Sequence, residues 1–476
     1  MRVLFVYTEI NVKFGTYGFQ HGIAAISAYL KSYGYDGISF CYIRSCYDIG
    51  LFRKALLRFK PDIVGFYVTD EQLRFIEELI LEVKEKEIFT ICGGPYAILN
   101  PRIIYKIPRL DAVCIGEGES PMLEFVKVIE KNENPKYING LWIRNGREII
   151  ENPAQPFLDK LDELPFCDRE LFANSKLRDR VGLTQISYKN SFRIGRGCPF
   201  QCGFCSNKQL GLAQPGSYVR FRSVDNVIKE MEYAVKKYSP LEIYLQDDTF
   251  TLNKDFIEEF CGQYSRRVGL PFEFFAHIHL DVIKILEKLK KAGGRRVSFG
   301  IESGNESLRS QMLKKRFSNQ DVIRIFRETK KMGYQTEAFV MAGLPDETPQ
   351  SFDDTVGLLR DIQPDLYSLS IYFPFKGTDL YNYSVLKGYL QSDFAIAKNF
   401  VSRRDTILKM PLFSRNEILS VVRSFGSKIY KGRSFKKAVL FRIYESRFGD
   451  RLLKLGFFCK RLLRRWIIGN KNNIPL

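Results

Sequence analysis

The sequence predicts an α/β protein built from two strand–helix alternations in series, followed by a basic helical tail. Two patterns carry this. Short apolar runs rich in β-branched and aromatic residues alternate with helical stretches, first over residues 1–130 and again over 186–395. Glycines and carboxylates collect where those runs end, which is the edge at which α/β sheets hold ligands. At 476 residues the chain is long enough for two or three domains with real cores. Its 45% hydrophobic and 14% aromatic content reads as ordered and globular.

In the first alternation, residues 3–7 read as a buried strand, and Ile23, Ile26 and Leu30 put one apolar face on a helix that stops before Gly34. Further strands are expected at 38–42, 63–67, 89–92 and 111–115, separated by helices at 52–59 and 73–86, with another helix beginning at Pro121. Such alternation gives a parallel, doubly wound sheet whose strand ends place Thr69, Gly93-Gly94-Pro95 and Gly116-Glu117-Gly118-Glu119 at the ligand edge. Residues 131–185 read as a connector, with Asn145-Gly146 signalling a hairpin and Pro153, Pro156 and Pro165 following it. The second alternation places strands at 192–195, 242–245, 272–275, 297–300, 336–340 and 366–371, with helices such as 224–237 and 319–332 between them.

Between the first two of these strands the chain reads Arg196-Gly-Cys-Pro-Phe-Gln-Cys-Gly-Phe-Cys205. Three cysteines beside Gly and Pro pack a core poorly, whereas thiolates select soft metals and iron–sulfur clusters. A fourth Cys would complete the shell of a cubane, so Cys198, Cys202 and Cys205 leave one iron open to a ligand that is not protein. A zinc knuckle would need a fourth Cys or His nearby. His277 and His279 lie more than seventy residues on, and His21 is the one other histidine.

This run, including Phe204 ahead of the last Cys, resembles the cluster loop of the radical S-adenosylmethionine (SAM) enzymes. The resemblance implies a [4Fe–4S] cluster on Cys198, Cys202 and Cys205, with SAM chelating the open iron at the mouth of a partial (β/α)6 TIM-type barrel. It further implies SAM contacts at the strand ends. Asp247 or Asp248 would meet the amino group, with helix capping or solvation as the alternative. Glu302 and Ser303, within Gly300-Ile-Glu-Ser-Gly304, would meet the ribose and methionine. Gly343 would lie along the adenine, against a plain strand–turn–helix with Glu347 in a first turn. His277 and His279 end the third strand and stay open between proton donor, substrate ligand and rim histidine.

Asp62-Ile-Val-Gly65, Gly93-Gly94-Pro95 and Asp111 with Gly116 to Glu119 resemble the Rossmann-like cobalamin-binding domain that precedes the radical SAM domain in one large subfamily. The implied cobalamin contacts are Thr69, Gly93, Gly94, Pro95, Gly116, Glu117 and Gly118, the glycines admitting a flat corrin ring. An ordinary flavodoxin-like domain with tight turns is the alternative. No Asp-x-His-x-x-Gly is present, so no lower histidine ligand to cobalt is implied. The implied layout is a cobalamin-binding domain (1–130), a connector (131–185), a radical SAM domain (186–395) and a basic helical region (396–476).

The resemblance implies an enzyme. An electron from a donor such as flavodoxin or ferredoxin reduces the cluster, SAM splits to methionine and a 5′-deoxyadenosyl radical, and that radical takes hydrogen from an unactivated carbon. Methylation at carbon or phosphorus of a small or lipid-like substrate is the expected outcome. A methylthiotransferase acting on tRNA or protein would need a second cluster, for which Cys41, Cys46, Cys92 and Cys114 lack the setting. A radical cyclase or rearrangement enzyme, and a non-enzymatic corrinoid or metal carrier, are the other readings.

Of the net charge of +19, most lies in residues 401–476, where 19 Lys/Arg face 4 Asp/Glu. Residues 451–468 form a two-faced helical pattern, with Leu452, Leu455, Phe458 and Trp466 on one side and Lys454, Arg461 and Arg465 on the other, Leu453 and Phe457 being exceptions. That pattern reads as peripheral contact with an anionic membrane at its inner face, or as a helix packed on the barrel. The nearly neutral body argues against nucleic acid as a partner. Scattered cysteines and the lack of about 18 consecutive apolar residues point to a reduced, cytoplasmic protein with no membrane span.

Overall fold

The computed structural model describes residues 1–12, 19–44, 48–84, 88–173, 187–248, 250–391, 396, 400–401 and 403–432. The chain begins β1 (Val3–Thr8), α1 (His21–Ser32), β2 (Ile38–Ile43), α2 (Ile49–Phe59), β3 (Ile63–Tyr67), α3 (Leu73–Lys84), β4 (Phe89–Gly93), α4 (Pro95–Leu99), α5 (Ile103–Lys106), β5 (Ala112–Cys114) and α6 (Glu119–Glu130). These strands pair in parallel in the order β2-β1-β3-β4-β5. Every residue of β1 is buried, because helices cover both faces. Val3, Phe5 and Tyr7 pack with Ile23 and Phe125, while Leu4 and Val6 pack with Phe52 and Ile76. Two-sided burial is why these strands read as unbroken apolar runs.

β6 (Leu141–Asn145) and β7 (Glu148–Glu151) form the hairpin expected at Asn145-Gly146, where Gly146 takes φ 63°. β6 runs antiparallel to β5, so this part of the connector adds two strands to the first sheet.

The second unit follows α7 (Glu170–Ala173). It comprises β8 (Ser191–Phe192), β9 (Gly195–Arg196), α8 (Asn207–Leu212), β10 (Arg220–Phe221), α9 (Val224–Tyr238), β11 (Ile243–Leu245), α10 (Lys254–Arg267), β12 (Phe272–Ala276), α11 (Val282–Lys291), β13 (Gly294–Glu302), α12 (Glu306–Gln311), α13 (Asn319–Lys331), β14 (Gln335–Ala342), α14 (Pro349–Ile362) and β15 (Leu366–Ile371). α15 (Asp379–Leu386) and α16 (Arg415–Tyr430) follow. β8, β11, β12, β13, β14 and β15 pair in parallel in that order, each strand beside the next, as a partial barrel requires. Phe192, Leu245, Phe274, Val297 and Val340 turn outward into one core with Val227, Leu286 and Phe326 of the covering helices. The alternate residues Ser191, Tyr244, Glu273, Phe275, Ser298 and Phe339 therefore line the inside.

The expected first barrel strand at 192–195 is split. Ser191–Phe192 pairs with β11, whereas Gly195–Arg196 turns away to pair antiparallel with β10. Glycine permits that turn: a Cβ on Gly195 would stand 2.5 Å from Arg220 O, and one on Gly197, at φ +88°, would stand 2.2 Å from Tyr218 O. The amphipathic helix expected at 451–468 and Cys46 lie outside the described residues. Among the described residues no helix is long and apolar enough to cross a membrane.

Candidate active site

The cysteine loop leaves β9 and is threaded under the end of the barrel. Gly203 donates its N–H to Leu313 O at 3.1 Å and accepts from Leu380 N at 2.9 Å. A Cβ on Gly203 would stand 2.3 Å from Met312 O and 2.7 Å from Leu380 Cδ1, so only glycine lets the loop seat. Phe200 stacks on His277, ring centroids 3.9 Å apart and 13° from parallel, which ties the loop to the end of β12. Cys198, Cys202 and Cys205 are half-buried. Burial pushes the Cys198 thiol up to about 12, and raises Cys202 and Cys205 as well. Thiolates there need a nearby cation, and a metal centre supplies one. Three thiols on one short, seated loop fit an iron–sulfur cluster with an open iron.

Side chains at the neighbouring strand ends surround this loop. Asp247 is buried; its Oδ1 accepts from Ile194 N and Gly195 N, both at 2.8 Å, while Oδ2 has no partner among the described residues. Burial pushes its carboxyl up to about 6. One oxygen thus anchors the run into the cysteine loop, and the other is buried beside it. Asp248 is exposed, and its charge bears on Cys198 and Cys205. At the end of β13, Glu302 adopts φ +73°, a left-handed conformation rare for a non-glycine residue. Its Oε1 accepts from Lys315 Nζ at 3.0 Å, and Lys315 also donates to Gly300 O at 2.6 Å. Ser303 is fully buried, and its carbonyl accepts from the buried Arg309 at 2.7 Å. Gly343, at φ +77°, donates its N–H to Glu347 Oε2 at 2.6 Å. Glu347 falls just ahead of the Thr348 cap of α14 rather than in its first turn, and it is wholly buried under the β14 end. Phe204 lies 6.0 Å beneath the Lys315 ammonium.

The ligand edge of the first sheet faces the barrel. Thr69 follows β3, and the amide of Lys376, just past β15, donates to neighbouring Asp70, whose carboxyl burial pushes up to about 7. Gly93 is open, a Cβ there meeting Cys114 alone, at 3.8 Å. A Cβ on Gly94, at φ +95°, would stand 3.1 Å from Val68 N and O, and Pro95 starts α4, which lies against α8 beside the cysteine loop.

Gly116, Glu117 and Gly118 make close protein contacts at the same edge. A Cβ would meet Gln214 at 2.3 Å from Gly116 and Ile26 at 2.7 Å from Gly118, so protein packing demands both glycines. The Glu117 carboxylate is committed: Arg220 donates to both its oxygens at 2.7 and 3.0 Å, and Arg196 to one at 2.8 Å. Arg196 also donates to Glu119 at 2.5 Å. Glu117, Glu119, Arg196 and Arg220 pin the two units together immediately beside the cysteine loop.

The chain matches the Radical SAM superfamily over residues 192–359 and the B12 binding domain over residues 7–126. It is a radical SAM protein with an N-terminal B12-binding domain. It is 28% identical to an uncharacterized methyltransferase of Pyrococcus horikoshii, over 86% of this chain and 85% of the relative. It is 26% identical to an anaerobic magnesium-protoporphyrin IX monomethyl ester cyclase of Rubrivivax gelatinosus, over 87% and 74%. Its fold matches that of the radical SAM methyltransferase TsrM of Kitasatospora setae, solved with cobalamin and a [4Fe–4S] cluster, at TM-score 0.67 and 15% identity, covering 98% of each chain.

The cofactors of this radical SAM, B12-binding protein are a [4Fe–4S] cluster, SAM and cobalamin. Its three half-buried cysteines on one loop and the open Gly93 edge are suited to such groups. Sequence reasoning missed Lys315, Arg196 and Arg220 as site residues, along with the Phe200–His277 stack. It also missed His21, which meets Ser191 Oγ at 2.9 Å across the domain boundary. One signal was available for Arg196, since it stands two residues ahead of the first cluster cysteine. Cys41, Cys92 and Cys114 are buried on three separate strands, β2, β4 and β5, rather than on one loop, unlike ligands of a second cluster.

Proposed function

We propose that this protein methylates an unactivated carbon, or a phosphorus, of a small or lipid-like substrate held between the barrel mouth and the first sheet. The single observation that supports this most is the Glu117–Arg196–Arg220 junction, which fixes the B12-binding edge over the cysteine loop. When bound, the cluster with SAM supplies a hydrogen-abstracting radical, and cobalamin supplies a methyl group. The chain's own part is to place them. Cys198, Cys202 and Cys205 hold the cluster, Asp247 and the Glu302–Lys315 pair take the polar groups of SAM, and the turn at Gly343 lies along its adenine. Thr69, Gly93, Gly94 and Pro95 present the cobalamin edge, and the covered mouth excludes water.

The anaerobically reconstituted protein, reduced with dithionite, is expected to form 5′-deoxyadenosine from SAM and to pass labelled SAM methyl to bound corrinoid. Cys202→Ala is expected to abolish the nucleoside. No cleavage by the loaded wild type would overturn the enzymatic reading. Ring closure is a second reading, favoured by the similarity to the Rubrivivax gelatinosus cyclase, and product analysis separates the two. The domain limits given above, a flavodoxin or ferredoxin as donor, a cytoplasmic location and a tail resting on anionic membrane belong to the same proposal, the last supported by the 19 basic residues after 400.

A further inference from the structure

Arg193 stands between the two ligand edges with its charge uncommitted. It follows β8 directly, and alternation decides which way it points. Phe192 and Ile194 on either side are fully buried in the core under the barrel helices. Arg193 therefore shares the inner face with Ser191, whose hydroxyl meets His21 of the first unit. Gln246 N donates to Phe192 O at 2.9 Å, continuing the ladder and setting Arg193 level with Gln246 inside the barrel. The same face carries Tyr244, Phe275 and Phe339, whose rings follow one another at 5.9 and 5.8 Å.

The Arg193 carbonyl is held by Arg222 at 3.1 Å, but the side chain is exposed, and among the described residues no carboxylate pairs with it. Neighbouring cations are spent: Lys315 on Glu302, Arg196 and Arg220 on Glu117, and Arg295 and Arg296 on Glu273. The Arg193 charge is felt by Asp247 on the barrel side and by Tyr67 and His21 on the other. A free guanidinium facing such a space is suited to a carboxylate or phosphate, which it can grip through two N–H groups.

We propose that Arg193 binds an anionic group of the substrate, with the apolar part of that molecule lying along Tyr244, Phe275 and Phe339. The inference rests on the methylation reading, because a carbon that must meet both cofactors has to lie between their edges. It narrows the substrate to an amphipathic anion.

The test is anaerobic calorimetric titration of the holoenzyme with hexanoate, hexyl phosphate and hexanol. At least one anion is expected to bind about tenfold tighter than the alcohol, the scale of a charge-assisted hydrogen bond. The preferred anion identifies the group. Arg193→Gln should erase that preference at full iron and cobalamin content, and Arg193→Lys should keep part of it. Equal affinity of anions and alcohol in the wild type, or a preference that survives in Arg193→Gln, overturns the inference. Absence of SAM cleavage would remove the methylation reading and leave this anion measurement standing, so the two failures are distinguishable.

Discussion

Glu117 grips Arg220 through both carboxylate oxygens, at 2.7 and 3.0 Å, and so joins the B12-binding sheet to the strand beside the cluster loop. Arg220 is 5% exposed and Glu117 18%, which makes this a largely desolvated pair. Removing one partner of such a pair strands the other charge and costs about 3–5 kcal/mol. Glu117→Gln should therefore lower the denaturant midpoint and loosen cobalamin retention; unchanged values of both would refute the junction. Burial alone would raise the Glu117 carboxyl, but hydrogen bonds from Arg220 and the charge of Arg196 hold it at about 2. Its folded value is depressed, so its contribution is full above about pH 4.3, the unfolded carboxyl value, and is lost as pH falls through about 2. The wild-type junction should survive at pH 4.

Gly203 is the residue on which cluster loading should depend most sharply after the cysteines. Its missing Cβ leaves 2.3 Å to Met312 O, a backbone atom that cannot swing aside. Gly203→Ala should lift the loop and cut iron bound per chain severalfold. Gly262→Ala, with nothing within 4 Å of its would-be Cβ, serves as the control. Equal iron in both variants would show that the seating is looser than the contacts indicate.

The cysteine loop, the two strand–helix alternations and the hairpin were legible because each is local: spacing, period and turn chemistry all lie within a few residues. What was not legible came from pairing at a distance. Lys315 sits in a stretch without a motif and matters through Glu302, thirteen residues back in sequence. Arg220 is separated from Glu117 by 103 residues. The glycines at 116 and 118 stood out in the sequence as ligand contacts, and their crowding by Gln214 and Ile26 did not. Such reasons exist only once the two units are placed against each other.

Gly300 makes room for the Glu302–Lys315 pair. A Cβ there would stand 2.5 Å from Glu302 Oε1 and 2.9 Å from Lys315 Nζ. Both atoms end flexible side chains, so the fold should tolerate Gly300→Ala, but the carboxylate must move. SAM affinity is expected to fall about tenfold, the worth of one charge-assisted contact, with the melting temperature little changed. Tight SAM binding in this variant would argue that Glu302 does not touch SAM.

Glu347 gives the barrel mouth a stability profile opposite to that of Glu117. It is fully buried, Oε2 accepting from Gly343 N at 2.6 Å and Leu344 N at 3.3 Å, while Oε1 has no partner among the described residues. Burial outweighs both amides and pushes the carboxyl up to about 8. An unfolded glutamate ionises near pH 4.3 and the folded one only near 8, so rising pH favours the unfolded chain throughout that interval. The stability contribution is full below about pH 4.3 and is lost as pH rises through about 8. At about 1.4 kcal/mol per unit, and with structural relaxation allowed for, a loss of order 2–3 kcal/mol between pH 5 and 8 is expected. Glu347→Gln keeps an oxygen for the two amides and cannot ionise. Its urea midpoint should change less over that interval than the wild type's, and identical slopes for the two proteins would mean that Glu347 ionises normally in the fold.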